Sequence, residues 1–291
     1  MFNSTRKTVA ASILSTLLLP SLLLIATTKA LGFENLTNDH ACWIANKIYY
    51  NECRQEPQCL VAWNEGEAFP SLGIGHFIWY PHSPHATAPP FQESFPKLIQ
   101  FMRERNIELP QWLDKLDPFT APWQNREDFL KRELSPEVVE LKQFLFATQR
   151  TQTQFLIRRS QEALKKILIN SPPDNRKALI FFMTDLTQNP QGIYAVVDYV
   201  NFKGEGLNAS ERYNRQGWGL MQVLENAITQ PDELSSIERF SRAATQTLER
   251  RASNAPNDIE RTRWLNVWKK RINTYTENVT QQSFIDGKAC Q

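Results

Sequence analysis

The residue best placed in this chain for acid–base chemistry is Glu52, because an apolar helical stripe carries it inward. Ala41, Ile44, Ala45, Ile48, Tyr49 and Glu52 recur at the spacing of one helix face, and Asn38 or Asp39 can cap that helix. A carboxyl group on such a face meets a low dielectric, which disfavours its charged form and raises its pKa. An acid that keeps its proton near neutral pH can donate it to a leaving group. The competing expectation is that Glu52, at the helix end, tips into solvent or pairs with Arg54.

A second set of residues follows at once. Residues 60–80 combine β-forming side chains with Asn64, Gly66, Pro70, Gly73 and Gly75, which predicts a hairpin or short sheet. Its turn holds Glu65 and Glu67, then come Ser71 and the tetrapeptide Gly73-Ile74-Gly75-His76. Helix, acid, hairpin acid, hydroxyl and glycine–histidine in this order resemble the hairpin of phage-type lysozymes, within the lysozyme-like superfamily. That family carries a glutamate at the end of its first helix, a hairpin aspartate and threonine, then Gly-Ile-Gly-His. The resemblance implies Glu52 as the acid, Glu65 in the aspartate's place as stabiliser or base, and Ser71 in the threonine's place, positioning water. Glu67 shares the turn and is the alternative to Glu65. It also implies a substrate-side role for Glu67, Gly73, Gly75 and His76, although His76, two residues after Ile74, is expected mainly as scaffold on one strand face with Leu72 and Ile74. The implied chemistry is glycoside cleavage, with one carboxyl protonating the leaving oxygen while another serves the opposite face of the sugar.

Of the ten glycines, Gly204, Gly206, Gly217 and Gly219 form a second concentration, in which the backbone must approach something closely. Gly219-Leu220-Met221-Gln222 resembles the Gly-Leu-Met-Gln signature of lytic transglycosylases. In those enzymes it closely follows the catalytic glutamate, whereas here it lies far beyond Glu52. This resemblance therefore implies only that Glu205 and Gln222 line a groove, with Trp218 beside them. The plainer expectation is a loop leading into a helix with Leu220, Val223 and Leu224 inward. The aromatics Phe69, Phe77, Trp79, Tyr80 and Trp218 serve either sugar stacking or core packing.

The elements that must position these groups are mostly helical. Phe95, Leu98, Ile99 and Met102 make one stripe, and Leu156, Ala163, Leu164, Ile167 and Leu168 make another. The run Ala178–Met183, with Asp174 as a cap, is apolar on every side and predicts a buried central helix. Two further helices are expected at about 233–252 and 257–275. The expected fold is α+β and predominantly helical: a lysozyme-like domain over residues 31–291, with one small antiparallel hairpin beside a cleft and extra C-terminal helices.

Residues 1–30 read as a cleaved signal peptide: Arg6 and Lys7, an apolar run from Val9 to about Ala26, and a small-residue exit ending at Ala30. The chain is therefore expected to be exported, periplasmic or secreted, with no membrane span after cleavage. Three of its 33 Lys and Arg residues lie in that segment and none of its 31 Asp and Glu residues do, so the remainder is balanced to within one charge. Such a balance argues against a nucleic-acid partner. Four cysteines in an exported chain predict disulfides. Three connectivities are possible, and Cys53–Cys59 with Cys42–Cys290 is preferred because it staples one loop and ties down the termini. His82 and His85 stand three apart without nearby carboxylates, so no metal is expected, and the chemistry above needs no cofactor.

Peptidoglycan glycan strands are the expected substrate, cut by hydrolysis or transglycosylation. The alternatives are a non-catalytic cell-envelope protein that binds a glycan or a partner, and a chitosanase-like glycosidase acting on an amino-sugar polymer.

Overall fold

A computed structural model describes residue 33 and residues 36–81, 92–280 and 283–284. The expected signal segment, the His82–His85 loop and Cys290 lie outside the described residues, and so does the Cys42–Cys290 pairing.

Helix α1, Asn38–Cys53, begins at Thr37, whose hydroxyl accepts from the His40 backbone while the His40 ring accepts from Thr37. The stripe read from the sequence is buried, with Ile44, Ala45 and Ile48 fully enclosed. Arg54 ends the helix in a left-handed conformation, and a disulfide joins Cys53 to Cys59 across the turn that follows. The chain then forms three two-residue strands, β1 Val61–Ala62, β2 Ser71–Leu72 and β3 Phe77–Ile78. They pair antiparallel in the order β1-β2-β3, with Ala62 opposite Ser71 and Leu72 opposite Phe77.

The rest of the described chain is chiefly helical: α2 Phe95–Arg103, α3 Pro136–Ala147, α4 Gln149–Asn170, α5 Pro173–Leu186, α6 Pro190–Lys203, α7 Leu220–Ala227, α8 Ser236–Asn254 and α9 Leu265–Asn273. Short helical turns lie between them, and a second ribbon pairs Arg212–Tyr213 with Gln216–Gly217. Predominantly helical, with only a small antiparallel sheet among the described residues, the structure is consistent with the α+β class expected, at that level of description. Among the described residues no helix is long and apolar enough to cross a membrane.

One expectation about the core is corrected. The Ala178–Met183 run forms part of α5, but this is an amphipathic surface helix whose Phe181 is 77 % exposed. The helix buried all round is α6, in which every residue from Gly192 to Val200 is enclosed. Apolarity of a six-residue run does not distinguish the two. The decisive feature is the longer run Ile193–Val200, whose one charged residue, Asp198, has partners waiting for it. Helix α6 touches α1, α4, α7 and α8, and the Arg271–Asp198 pair ties it to α9, so whatever it carries at its C-terminal end is held from several sides.

Candidate functional site

Glu52 sits in the last turn of α1 with only 12 % of its side chain exposed. It is buried as expected, but it is not held neutral. Arg271 of α9 donates from Nη2 to its Oε1 at 2.5 Å, Asn201 of α6 donates at 3.2 Å, and His76 Nδ1 lies 3.3 Å from Oε2. Burial pushes the Glu52 carboxyl up, yet the charges of Arg271 and His76 and the hydrogen bonds from Arg271 and Asn201 outweigh it, so the net shift is downward. The expectation of a stored proton on Glu52 is thus corrected: the helix stripe announces burial and is silent about a cation 219 residues further along the chain.

Arg271 is itself committed elsewhere. Its Nε and Nη2 donate to the two oxygens of Asp198, each at 2.8 Å, and its guanidinium lies 4.3 Å from the Phe202 ring centroid. Asp198 is fully buried and also accepts from Tyr275 Oη at 2.6 Å and Asn51 Nδ2 at 3.2 Å. Two carboxylates therefore share one guanidinium, and the bidentate pair belongs to Asp198. The cluster joins α1, α6 and α9.

The hairpin residues divide differently from the resemblance. Glu65 is exposed, with no hydrogen bond or ion pair among the described residues. Glu67 is the acid turned toward the sheet: it accepts from Asn64 at 3.1 Å and, over a long 3.4 Å, from the hydroxyl of Ser71, whose residue is 4 % exposed. Gly73 and Gly75 face protein, not open space. A Cβ on Gly73 would lie 2.3 Å from Gln152 Oε1, and one on Gly75 would lie 2.7 Å from the Phe77 ring. Buried Gln152 accepts from the Ile74 backbone at 2.9 Å, so these glycines admit α4 against the turn and leave no room there for a ligand. His76 lies in that turn with φ 47°, off the strand face expected for it. It bridges Glu52 on one nitrogen and, at 3.2 Å, Cys59 Sγ on the other. Cys53, Cys59 and His76 lie close enough to suggest a metal-ligand group, but the two sulfurs are bonded to each other.

The second glycine stretch builds a cleft. Leu220 and Met221, opening α7, donate backbone hydrogen bonds to Gly204 and Glu205, each at 3.0 Å, which folds residues 204–206 onto the helix start. Gln222 accepts from Gly219 at 3.0 Å and donates to the Gly206 carbonyl at 3.1 Å, so it locks this loop and does not face the groove. Trp218 is only 8 % exposed, with Arg251 stacked 4.1 Å from its ring centroid, and Phe77 and Trp79 are fully buried. Phe77 and Trp79 are core, and Trp218 shows the cleft only a small edge. Glu205 does line the groove and pairs with Lys166 at 2.7 Å.

The cleft itself, about 390 Å³, runs between Ile78 of β3 and residues 200–208, with Arg159, Glu211, Trp218 and Arg251 completing its wall. Asn201 lines it and is bonded to Glu52, so the carboxylate of α1 lies immediately behind the wall. Burial raises the Glu211 carboxyl above the ordinary glutamate value. The cleft therefore has one carboxyl group shifted up on its surface, and one shifted down lies behind its wall. Sequence reading passed over Glu211, Asn201, Lys203, Asp198 and Arg271. The signal for Asp198 was present, as a lone acid in an apolar helical run; Arg271 had none, being one of 33 basic residues.

No family model, curated protein or solved structure matches this chain.

Proposed function

We propose that the protein is an exported glycosidase of lysozyme-like architecture that cleaves the glycan strands of peptidoglycan. Support comes from one observation above the others: Glu211 on the cleft wall and Glu52 directly behind it, bonded to the wall residue Asn201, have their proton affinities driven apart. Such a division assigns roles. Glu211, which burial favours in its protonated form, donates to the leaving glycosidic oxygen. Glu52, kept ionised by Arg271, His76 and Asn201, serves the positive charge or the water on the other face of the sugar. This exchanges the roles that the hairpin resemblance implied, with Glu52 as carboxylate and not as acid. Asn201 holds the Glu52 carboxylate toward the cleft wall.

The test is clearing of purified peptidoglycan by the wild type, Glu211→Gln and Glu52→Gln, with chitosan as a second substrate. Each variant should lose about 10²–10⁴-fold in rate while keeping its far-ultraviolet circular dichroism. Undiminished clearing by either variant removes that residue from the mechanism, and no clearing of either polymer by the wild type overturns the glycosidase reading.

The pH profile carries its own sign. Activity should fall as pH rises through the raised Glu211 value, because the donor loses its proton. It should also fall as pH drops below the depressed Glu52 value, because the carboxylate gains one. The expected result is a bell centred in mild acid, and a plateau through neutral and alkaline pH would contradict the assignment.

A second reading is favoured by the saturation of Glu52 with partners. In it, Glu52 is only a tie between α1 and α9, and the cleft binds glycan without cutting it. It is the reading left if the wild type binds insoluble peptidoglycan and releases no fragments.

A further inference from the structure

Lys203, the last residue of α6, is the most unusual group in the cleft wall. Its Nζ lies 3.9 Å from the centroid of the Phe202 ring and 3.9 Å from that of Trp268. Each ring also meets a guanidinium, Arg271 at 4.3 Å from Phe202 and Arg251 at 5.0 Å from Trp268. The two acids that could compensate the amine are occupied: Glu260 receives both arms of Arg251 at 2.9 Å, and Glu52 receives Arg271. Among the described residues Lys203 has no ion pair. Burial, with Arg251 and Arg271 beside it, drives its pKa well below the ordinary lysine value despite Glu260 and Glu52.

An amine whose proton affinity is lowered, lodged between aromatic rings on a residue that lines a small cleft, has a defined reactivity: its neutral form adds to carbonyl carbon. Arg159 stands in the same wall, without a hydrogen-bonded or ion-paired partner among the described residues, and it also lines the adjoining groove between α2 and α4. Its guanidinium feels the Glu205 and Glu162 carboxylates but is hydrogen-bonded to neither, and it presents a planar fork that matches a carboxylate.

We propose that Lys203 is a carbonyl-capture site, forming an imine with small aldehydes or ketones and preferring those that carry a carboxylate, which Arg159 receives. In this step Nζ bonds to the carbonyl carbon. The carbonyl oxygen leaves as water with the two hydrogens the amine gives up, and a carbon–nitrogen double bond remains, so no oxidant or reductant is needed. The proposal is independent of glycan cleavage.

The experiment treats the full chain at pH 7 with glyoxylate and sodium cyanoborohydride, which traps an imine as a secondary amine, and maps the labelled lysines by mass spectrometry. An ordinary lysine is unprotonated about once in 2,500 molecules at this pH. Lys203 should therefore be labelled at least about tenfold faster than exposed Lys177. That ratio should collapse to about one in urea. Glycolaldehyde, which lacks the carboxylate, should give a smaller ratio, and Arg159→Gln should erase the difference between the two probes. Labelling of Lys203 no faster than Lys177 in the folded protein overturns the capture site. Equal ratios for glyoxylate and glycolaldehyde overturn the carboxylate preference.

Discussion

Arg271→Met should cost the fold about 3–5 kcal/mol, measured by denaturant unfolding at neutral pH, because it strands two carboxylates that share one cation. Asp198 loses the bidentate pair that satisfies both its oxygens, and Glu52 loses its shortest bond. Tyr275 and Asn51 still donate to Asp198, but neither supplies charge. The methionine fills most of the volume, so the loss reports electrostatics more than packing. Two companions make the expectation specific. Arg271→Met combined with Asp198→Asn should recover a large part of the loss, since the worst unpaired charge is removed with its partner. The deficit of the single variant should also shrink as the solution is acidified, because an unpaired buried carboxylate gains from taking up a proton. Glu52→Gln alone should cost much less, as Arg271 keeps Asp198. A loss under about 1 kcal/mol for Arg271→Met, unchanged in acid, would mean that the cluster is solvated and contributes little.

The parts of this molecule that could be read from its sequence are those in which local spacing decides the outcome. The α1 stripe, the turn glycines around Gly73, the Cys53–Cys59 staple and the helices near the C-terminus all arise from interactions within a few residues or a simple period. Glu52 was found because burial is written into that period. Its charge state was not, because it depends on Arg271, 219 residues away in sequence. The same separation hid the cleft, whose walls come from β3, α4, α6 and the loop before α7 and meet only in three dimensions. Glycine clustering did point to the loop at 204–219, but for a reason of backbone contact. Gln222, attractive as a sugar-binding group by type, is consumed in holding that contact together, and Trp218 is largely covered by Tyr213 and Arg251.

Gly219→Ala should destabilise the chain by about 3 kcal/mol and abolish whatever the cleft does, although it adds a single methyl group. The added Cβ would lie 2.2 Å from the Gly206 nitrogen and 2.4 Å from its Cα, so backbone meets backbone and no flexible side chain can yield. Gly206 cannot retreat by substitution either, since its φ is +81° and its own missing Cβ position lies 2.3 Å from Gln222 Oε1. Relief requires residues 204–206 to lift from the start of α7. That breaks the hydrogen bonds from Leu220 and Met221 and carries Lys203 and Glu205, both cleft residues, away from their partners. Gly66→Ala is the control, with nearly the same φ of +82° and no atom within 4 Å of the new methyl. It should cost only the left-handed backbone penalty, about 1–2 kcal/mol, and leave clearing and Lys203 labelling unchanged. Unfolding curves for the two variants measure the difference directly. If they coincide, the close approach of Gly219 to Gly206 is not what holds the cleft wall, and the glycines at 204–219 owe their positions to backbone conformation alone.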